Sequence, residues 1–447
     1  MSELGESAQA YLRRYRDDVR ARAGDPPWLA ELRQRAADRF GEQGFPAPTE
    51  EDWKYTNVRP IVSRIFQAAT PELAQVDAER LKAAVFPELD AHRLVFINGR
   101  FTPAFSTSLD ELPRGVRLNT LVRALDEGGE AVQTHLGRYG EPAFSGFAAL
   151  NTAFLDDGAC VQLEDGAVCE RPIHLVFAST GGAESVISHP RVLVVAGRNS
   201  QASVIEHYVA LDEATNFQNA VTEIVLGEGA VLAHDKLQQE SEKSFHVASV
   251  HVHQCRDSRY VSHNINLGGL LVRNDIRAAL TEPGAEARLY GLFMAGGRQH
   301  VDNHTCIDHM APHTRSDESY KGVLSGRARG VFNGRVVVRP DAQKIEARQS
   351  NPNLLLSGQA EIDTKPELEI YADDVKCSHG ATVGQLDETA LFYLRSRALD
   401  ADTARDLLVF GFVEEVIDGL AHAPIRDRLE SIVKGRLPES GRLKDLL

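Results

Sequence analysis

The sequence predicts a mainly β protein, a β-solenoid core set between two helical regions. Three observations carry that prediction. From about residue 159 short β-branched runs recur, as in Val192-Leu193-Val194-Val195, Ser203-Val204-Ile205, Thr222-Glu223-Ile224-Val225-Leu226 and Val336-Val337-Val338. Gly-Ala pairs follow an Asp, Glu or Pro at Gly158, Gly166, Gly229 and Gly284, where glycine permits positive φ and alanine lets neighbouring coils approach. Long helical periodicity is nearly absent across this stretch, although it is plain before and after it. Two packed β-sandwiches fit the same runs. A sandwich should show clean alternation and hairpin turns; the short strands and irregular turn signals favour the solenoid, in which each coil stacks on the one before. The expected divisions are a mixed, mainly helical region over 1–155, the solenoid over 156–384, and a helical domain over 385–447.

Taken in order, Tyr11, Tyr15 and Val19 are spaced for one helical face. A second helix opens at Trp28 after Pro26-Pro27, since proline is tolerated at a helix start, and Phe45-Pro46-Ala47-Pro48 breaks it. Thr49 and Asp52 frame a loose capping box. Leu94-Val95-Phe96-Ile97 reads as a strand ending in an Asn98-Gly99 turn, and 117–155 reads as helical. Beyond Gly384, Asp387 caps a helix through Leu394. A second helix spans about Asp402 to Leu420, its broad apolar face formed by Leu407, Leu408, Phe412, Val413, Val416, Ile417 and Leu420. Lys434 to Pro438 reads as a polar tail.

The composition is that of a globular protein, 43% hydrophobic and 25% charged, and 447 residues suffice for a sizeable core. The net charge of −15 disfavours nucleic acid and anionic membrane surfaces. The first residues lack a secretory apolar stretch, and no run is long enough to span a bilayer. Five cysteines without paired spacing fit a reducing cytoplasm better than a disulfide framework. There is no P-loop, no Rossmann fingerprint and no Gly-x-Ser-x-Gly, so neither ATP hydrolysis, nor dinucleotide binding, nor a serine hydrolase is indicated.

Two constellations hold metal-ligating side chains. In His300-x-x-x-His304-x-Cys306-x-x-His309-x-x-x-His313, imidazole and thiolate suit zinc or iron. On a strand His300, His304 and Cys306 share one face and His309 with His313 the other, which favours solvated or hydrogen-bonded histidines over a site. In Cys377-Ser378-His379 the two ligand types are two apart, so an extended chain puts both on one face, about 7 Å apart. Two ligands are too few for a cluster, so the others would come from elsewhere. On spacing alone, a buried cysteine beside a structural histidine is the favoured reading of the pair. Asp373-Asp374 and Glu414-Glu415 read as surface charge.

Around that pair the sequence resembles a known family. Tyr320-Lys321-Gly322-Val323-Leu324, Val331-Phe332-Asn333-Gly334, Ala342-Gln343-Lys344, Gln349 to Ser357, and Ala360 to Ile370 resemble the shared block of the SufB/SufD family. Ala372 to Thr382 resembles its SufD branch, Leu391 to Arg397 continues the match, and Glu51-Asp52-Trp53-Lys54-Tyr55-Thr56 is similar to the family's short N-terminal element. The resemblance implies a right-handed parallel β-helix flanked by helices. It implies a non-catalytic scaffold for iron–sulfur cluster assembly in the cytoplasm, paired with SufB, or with a second copy of itself when isolated. It implies an ATPase partner, SufC, docked on the C-terminal helices. His379 matches the family's histidine at the SufB–SufD interface, which takes part in a transient iron or iron–sulfur site shared with SufB. Cys377 lies in the same motif with a less secure role. The resemblance leaves flavin binding, the His300–His313 histidines and the iron donor open. A SufB-type paralogue, a solenoid carbohydrate-active enzyme, and a purely structural solenoid are the competing readings.

Overall fold

The computed structural model describes residues 3–21, 25–68, 76–140, 145–181 and 185–437; for residue 3 and residues 18–21 only the backbone is described. Two large sheets face each other and exchange the chain at every half-turn. One has eleven strands and ends at Glu361–Ile370; the other has ten and ends at Val375–Gly384. From Phe217–Leu226 onward each strand pairs in parallel with the strand two before it, as Phe245–Gln254 does with Phe217–Leu226, and Arg259–Asn266 with Val231–Gln239. That pairing is a parallel β-solenoid, with two strands to a coil, and it rules out antiparallel sandwiches.

Most coil strands are ten residues long, longer than the apolar runs that announced them. The reason lies in their inner faces. Alternate residues point into the lumen, and there Val204, Ile224, Leu232 and Leu289 are joined by Glu206, His234, Lys236, Asn264, Asn274, Asn303 and Glu318, all buried. Polar lumen residues interrupt a hydrophobic run without interrupting the strand.

The glycine corners divide into two kinds. Gly284 is at φ 78°, and a Cβ there would meet Asp257 Oδ1 of the preceding corner at 1.9 Å. Gly158 instead begins a strand, where the Arg191 carbonyl oxygen lies 1.7 Å from where a Cβ would stand, so the neighbouring backbone excludes any side chain.

Before the solenoid, Pro27–Gln43 starts at the proline pair, with Pro26 as its N-cap, and stops at Gly44. Tyr15 of Glu3–Ala21 is buried and Tyr11 half-buried, while the side chain of Val19 lies outside the described residues. The Asn98-Gly99 turn joins His92–Ile97 to Arg100–Phe101, with positive φ at both corners. His92–Ile97 pairs in parallel with Ile173–Ser179, so the region before 156 contributes to the sheets. The helical reading of 117–155 is corrected at its start: Val116–Thr120 is a strand, because its alternate residues Val116 and Leu118 reach the core against Gly158–Leu163. Thr49 caps nothing. The short 3-10 turn Glu51–Trp53 has Glu50 at its N-cap position, and the Glu50 carboxylate accepts from Ala47 N.

After the solenoid, Glu388–Ser396 is capped by Asp387, whose carboxylate accepts from Thr389 N at 2.7 Å. Ala401–Ile417 follows, capped by Asp400. Its buried Val409, Phe410, Val413, Val416 and Ile417 pack on Ile205, Leu237, Ile265, Leu292 and Val323. Those five residues lie on successive coils, so the helix runs along the flank of the ten-stranded sheet and leaves the solenoid's end open. The expected polar tail is in part a third helix, Ala423–Arg436, that buries Ile425, Leu429 and Val433; Pro438 lies outside the described residues. Glu415 is exposed, as read, and from the surface it pairs with Lys321, a nearly buried side chain of the solenoid.

Candidate site at the open end of the solenoid

The two ends of the stack differ. At the start, the short antiparallel strands Arg100–Phe101 and Val116–Thr120 finish the sheets. At the finish, Glu361–Ile370 and Val375–Gly384 are each paired on one side only, so one edge of each keeps its backbone N–H and C=O groups unpaired by any strand.

Register decides which side chains this end presents. Ala347 pairs with Cys377, Gln349 with His379, Asn351 with Ala381 and Asn353 with Val383. Ala347, Gln349, Asn351 and Asn353 are buried while Glu346, Arg348 and Ser350 between them are exposed, so the first set faces the lumen. Cys377 and His379 therefore share the lumen face of the last strand, as their spacing predicts. His379 is exposed, and Cys377 is partly buried beside Ala347 and Ala372. Burial raises the Cys377 thiol above its usual pKa.

Beneath this pair lies a polar floor. Asn351 Nδ2 donates to the Tyr320 carbonyl at 2.8 Å, and Thr364 Oγ1 and Asn353 Nδ2 donate to Asn351 Oδ1 at 2.8 and 2.7 Å. One coil deeper, Gln349 Nε2 donates to Glu318 Oε2 at 2.7 Å. Burial pushes the Glu318 carboxyl up to about 7. No sequence motif marks Glu318 and Gln349, because a carboxylate and a carboxamide 31 residues apart are unrelated until the coil length is known.

Further along the lumen, Glu206 accepts from Tyr208, Thr222 and His234 at 2.6, 2.7 and 2.9 Å. Lys236 Nζ contacts His246 and Asn274, both at 2.8 Å. Its ammonium is fully buried, and desolvation brings its pKa down to about 8.

The second constellation comes apart. His300 contacts Thr56 Oγ1 at 2.7 Å, and His304 contacts Asp302 at 3.1 Å. His309 points into the lumen, where Thr314 and Ser316 meet its two ring nitrogens at 2.7 and 2.9 Å; burial lowers its pKa to about 4. His313 leaves the strand altogether and sits in a corner at φ 61°, which corrects its expected place beside His309. Cys306 lies on the outer face, in register between Arg277 and Arg335. Among the described residues, no group of three or more His, Cys, Asp or Glu is arranged to hold a metal ion. Among them, too, no helix is long and apolar enough to cross a membrane.

The Glu51–Thr56 element explains itself structurally. It lies on the outer face of the eleven-stranded sheet, where Arg273 is almost fully buried. The Arg273 guanidinium donates to Asp302 at 2.6 Å, to Asp275 at 2.8 and 3.1 Å, and to the Asp52 carbonyl at 2.9 Å. It also stacks 4.4 Å from the Trp53 ring. Thr56 donates to Asp302, and Glu51 pairs with Lys365 at 3.0 Å. The motif is thus a clasp that holds the N-terminal helices to the coils, and composition gives no hint of its distant partners.

Comparison with known proteins places this arrangement. Residues 177–412 match the model of the SUF system FeS cluster assembly SufBD core domain, and residues 5–175 match the SufBD protein N-terminal region. The chain is 36% identical over 418 residues to an iron–sulfur cluster assembly SufBD family protein of Synechocystis, covering 91% of each chain. It is 31% identical over 401 residues to the iron–sulfur cluster assembly protein SufD of Escherichia coli, covering 89% of this chain and 91% of that one. A protein named SufD in Bacillus subtilis is 24% identical over 426 residues, 92% of this chain and 95% of the other.

Proposed function

We propose a function from one premise: this chain belongs to the SufBD family of iron–sulfur cluster assembly proteins and is SufD-like within it. It serves as a non-catalytic scaffold in the cytoplasm, pairing with a SufB-type subunit through the open end of its solenoid. The transient iron or nascent cluster is cargo held between the two subunits. His379 supplies a ligand to it from this chain, and Cys377 plays a lesser part. ATP is hydrolysed by a SufC-type partner docked on the C-terminal helices.

One observation carries this reading. The only lumen-facing imidazole on the last strand, His379, stands on a coil whose edge is unpaired. A partner that adds strands there covers the histidine at the same time, so pairing and ligand supply become one event. A site divided between two chains needs no full ligand set in either one. Motion of the two subunits, driven by the ATPase, would then open or close the shared site.

For the ATPase, the broad face of Ala401–Ile417 is spent on the solenoid flank. The neighbouring Glu388–Ser396 instead leaves Phe392 74% and Tyr393 56% exposed, and these two rings are the contact we assign to the docking partner.

The test is reconstitution with SufB- and SufC-type partners, followed by iron and sulfide analysis and by cluster formation in cells. His379→Ala should leave the complex assembled and impair cluster formation, and Cys377→Ala should do less. Normal cluster assembly by the His379 variant would remove the histidine from the site.

A further inference from the structure

The carboxamide of Gln349 lies one coil below the open end with only one of its two polar atoms committed. It is 4% exposed, and its Nε2 is committed to Glu318 Oε2 at 2.7 Å. Its Oε1 has no protein hydrogen-bond partner. Buried carbonyl oxygens in that state are uncommon and costly. While Glu318 is ionised and holds Nε2, the amide cannot turn over without setting oxygen against oxygen, so in that state the acceptor is fixed in place.

The next coil places His379 in register with Gln349 on the same lumen face. Neighbouring strands lie about 4.8 Å apart, within reach of two long side chains. The Asn351 carboxamide oxygen, two residues further on, already accepts from Thr364 and Asn353. The ring of His379 is exposed in the single chain and can sample its rotamers freely. A partner that covers the end removes the water that now satisfies the ring, and a ring N–H then requires a protein acceptor.

We propose that Gln349, itself oriented by Glu318, is the positioning residue of His379: in the assembled complex its Oε1 accepts the N–H of one ring nitrogen, leaving the other ring nitrogen as the lone-pair donor to iron. This rests on the reading of His379 as an iron ligand. A histidine that ligates metal generally donates its other N–H to such a group, which fixes both tautomer and ring plane. The chain would thus carry a three-member line of carboxylate, carboxamide and imidazole, entering the lumen from the shared site.

The test uses the full chain, labelled with ring-15N histidine, in complex with its unlabelled partners. Solid-state 15N spectra of the iron-free complex report the His379 tautomer, assigned by the signal that His379→Ala removes. A single dominant tautomer is expected. Gln349→Leu should convert it to a mixture and weaken ferrous iron binding about 10- to 100-fold. Gln349→Glu keeps an acceptor oxygen and should restore the tautomer. Glu318→Gln, which lets the Gln349 amide turn either way, should give an intermediate result and covers the case in which Gln349→Leu fails to fold. An unchanged tautomer in both Gln349→Leu and Glu318→Gln overturns the proposal. Loss of the tautomer without any effect of His379→Ala on iron binding would uphold the hydrogen bond and overturn the ligand role beneath it.

Discussion

Arg273→Leu removes the centre of the clasp that joins the N-terminal helices to the solenoid. Arg273 serves two carboxylates, one backbone carbonyl and one indole. Asp302 is 1% exposed and Asp275 18%, so the substitution leaves a pair of negative charges in a site that water scarcely reaches. Breaking a buried pair by deleting one partner costs roughly 3–5 kcal/mol, and the lost stacking on Trp53 adds about 1 kcal/mol. His304, 3.1 Å from Asp302, stays as a hydrogen-bond partner and offsets part of that. A net loss of about 4 kcal/mol is expected, nearly a thousandfold in the local opening equilibrium. The Arg273 guanidinium holds both carboxyls below their usual range against the opposing effect of burial. A depressed carboxylate pKa gives stability that is present above the unfolded value near 4 and lost as pH falls through the folded value. In the variant the carboxyls keep the burial that raises them and lose the guanidinium that lowers them, so they take up protons as pH falls, and the deficit should be largest at neutral pH and shrink toward pH 4. The assays are denaturant unfolding at pH 7.5 and pH 4.5, and trypsin cleavage after Lys54 and Arg64 under native conditions. Pairing Arg273→Leu with Asp302→Asn should recover about 2 kcal/mol of the loss, a coupling typical of residues in contact. A deficit under about 1 kcal/mol with unchanged proteolysis would refute the clasp.

How far the sequence carries depends on what each residue must satisfy. The solenoid was legible because corners need small residues whatever the strands contain, and Gly284 and Gly158 meet that need in two different ways. The coil period was blurred because lumen positions such as Lys236, Asn274 and Asn303 hydrogen-bond across the stack rather than pack as an apolar stripe. The Cys377–His379 face could be read from strand alternation alone. Its floor could not, since Gln349 and Glu318 meet only through the coil length. The same limit hid the clasp: Trp53 and Arg273 are brought together by a packing direction that no local pattern encodes. The apolar face of Ala401–Ile417 was legible in part: Val413, Val416 and Ile417 are buried as read, but Val409 and Phe410 are buried where Leu407, Leu408 and Phe412 are only partly so, and flank packing and partner docking demand the same kind of residue. Val116–Thr120 was misread because two buried positions in alternation are too short a signal beside the helices that follow.

The remaining predictions bear on separate parts of the molecule. Gly284→Ala forces a Cβ onto Asp257 at a positive φ and should cost about 2 kcal/mol, read as a lower unfolding midpoint with unchanged slope. Phe392→Ser with Tyr393→Ser should leave that midpoint within about 0.5 kcal/mol of the parent, since both rings are mostly exposed, while weakening binding of a SufC-type ATPase at least tenfold by calorimetry; unchanged binding moves the docking site elsewhere. The last concerns Glu318, whose carboxyl is raised by burial from 4.5 to about 7. A raised carboxyl pKa favours the protonated folded state, so its contribution is fully present below the unfolded value and is lost as pH rises through about 7. A shift of that size corresponds to about 3 kcal/mol, all of it absent at pH 8. Glu318→Gln cannot ionise and keeps an acceptor for Gln349, so it should gain stability relative to the parent between pH 5 and pH 8, by up to that amount. A parallel pair of stability curves over that interval would mean that Glu318 ionises freely in the folded chain, against the desolvation that its burial implies.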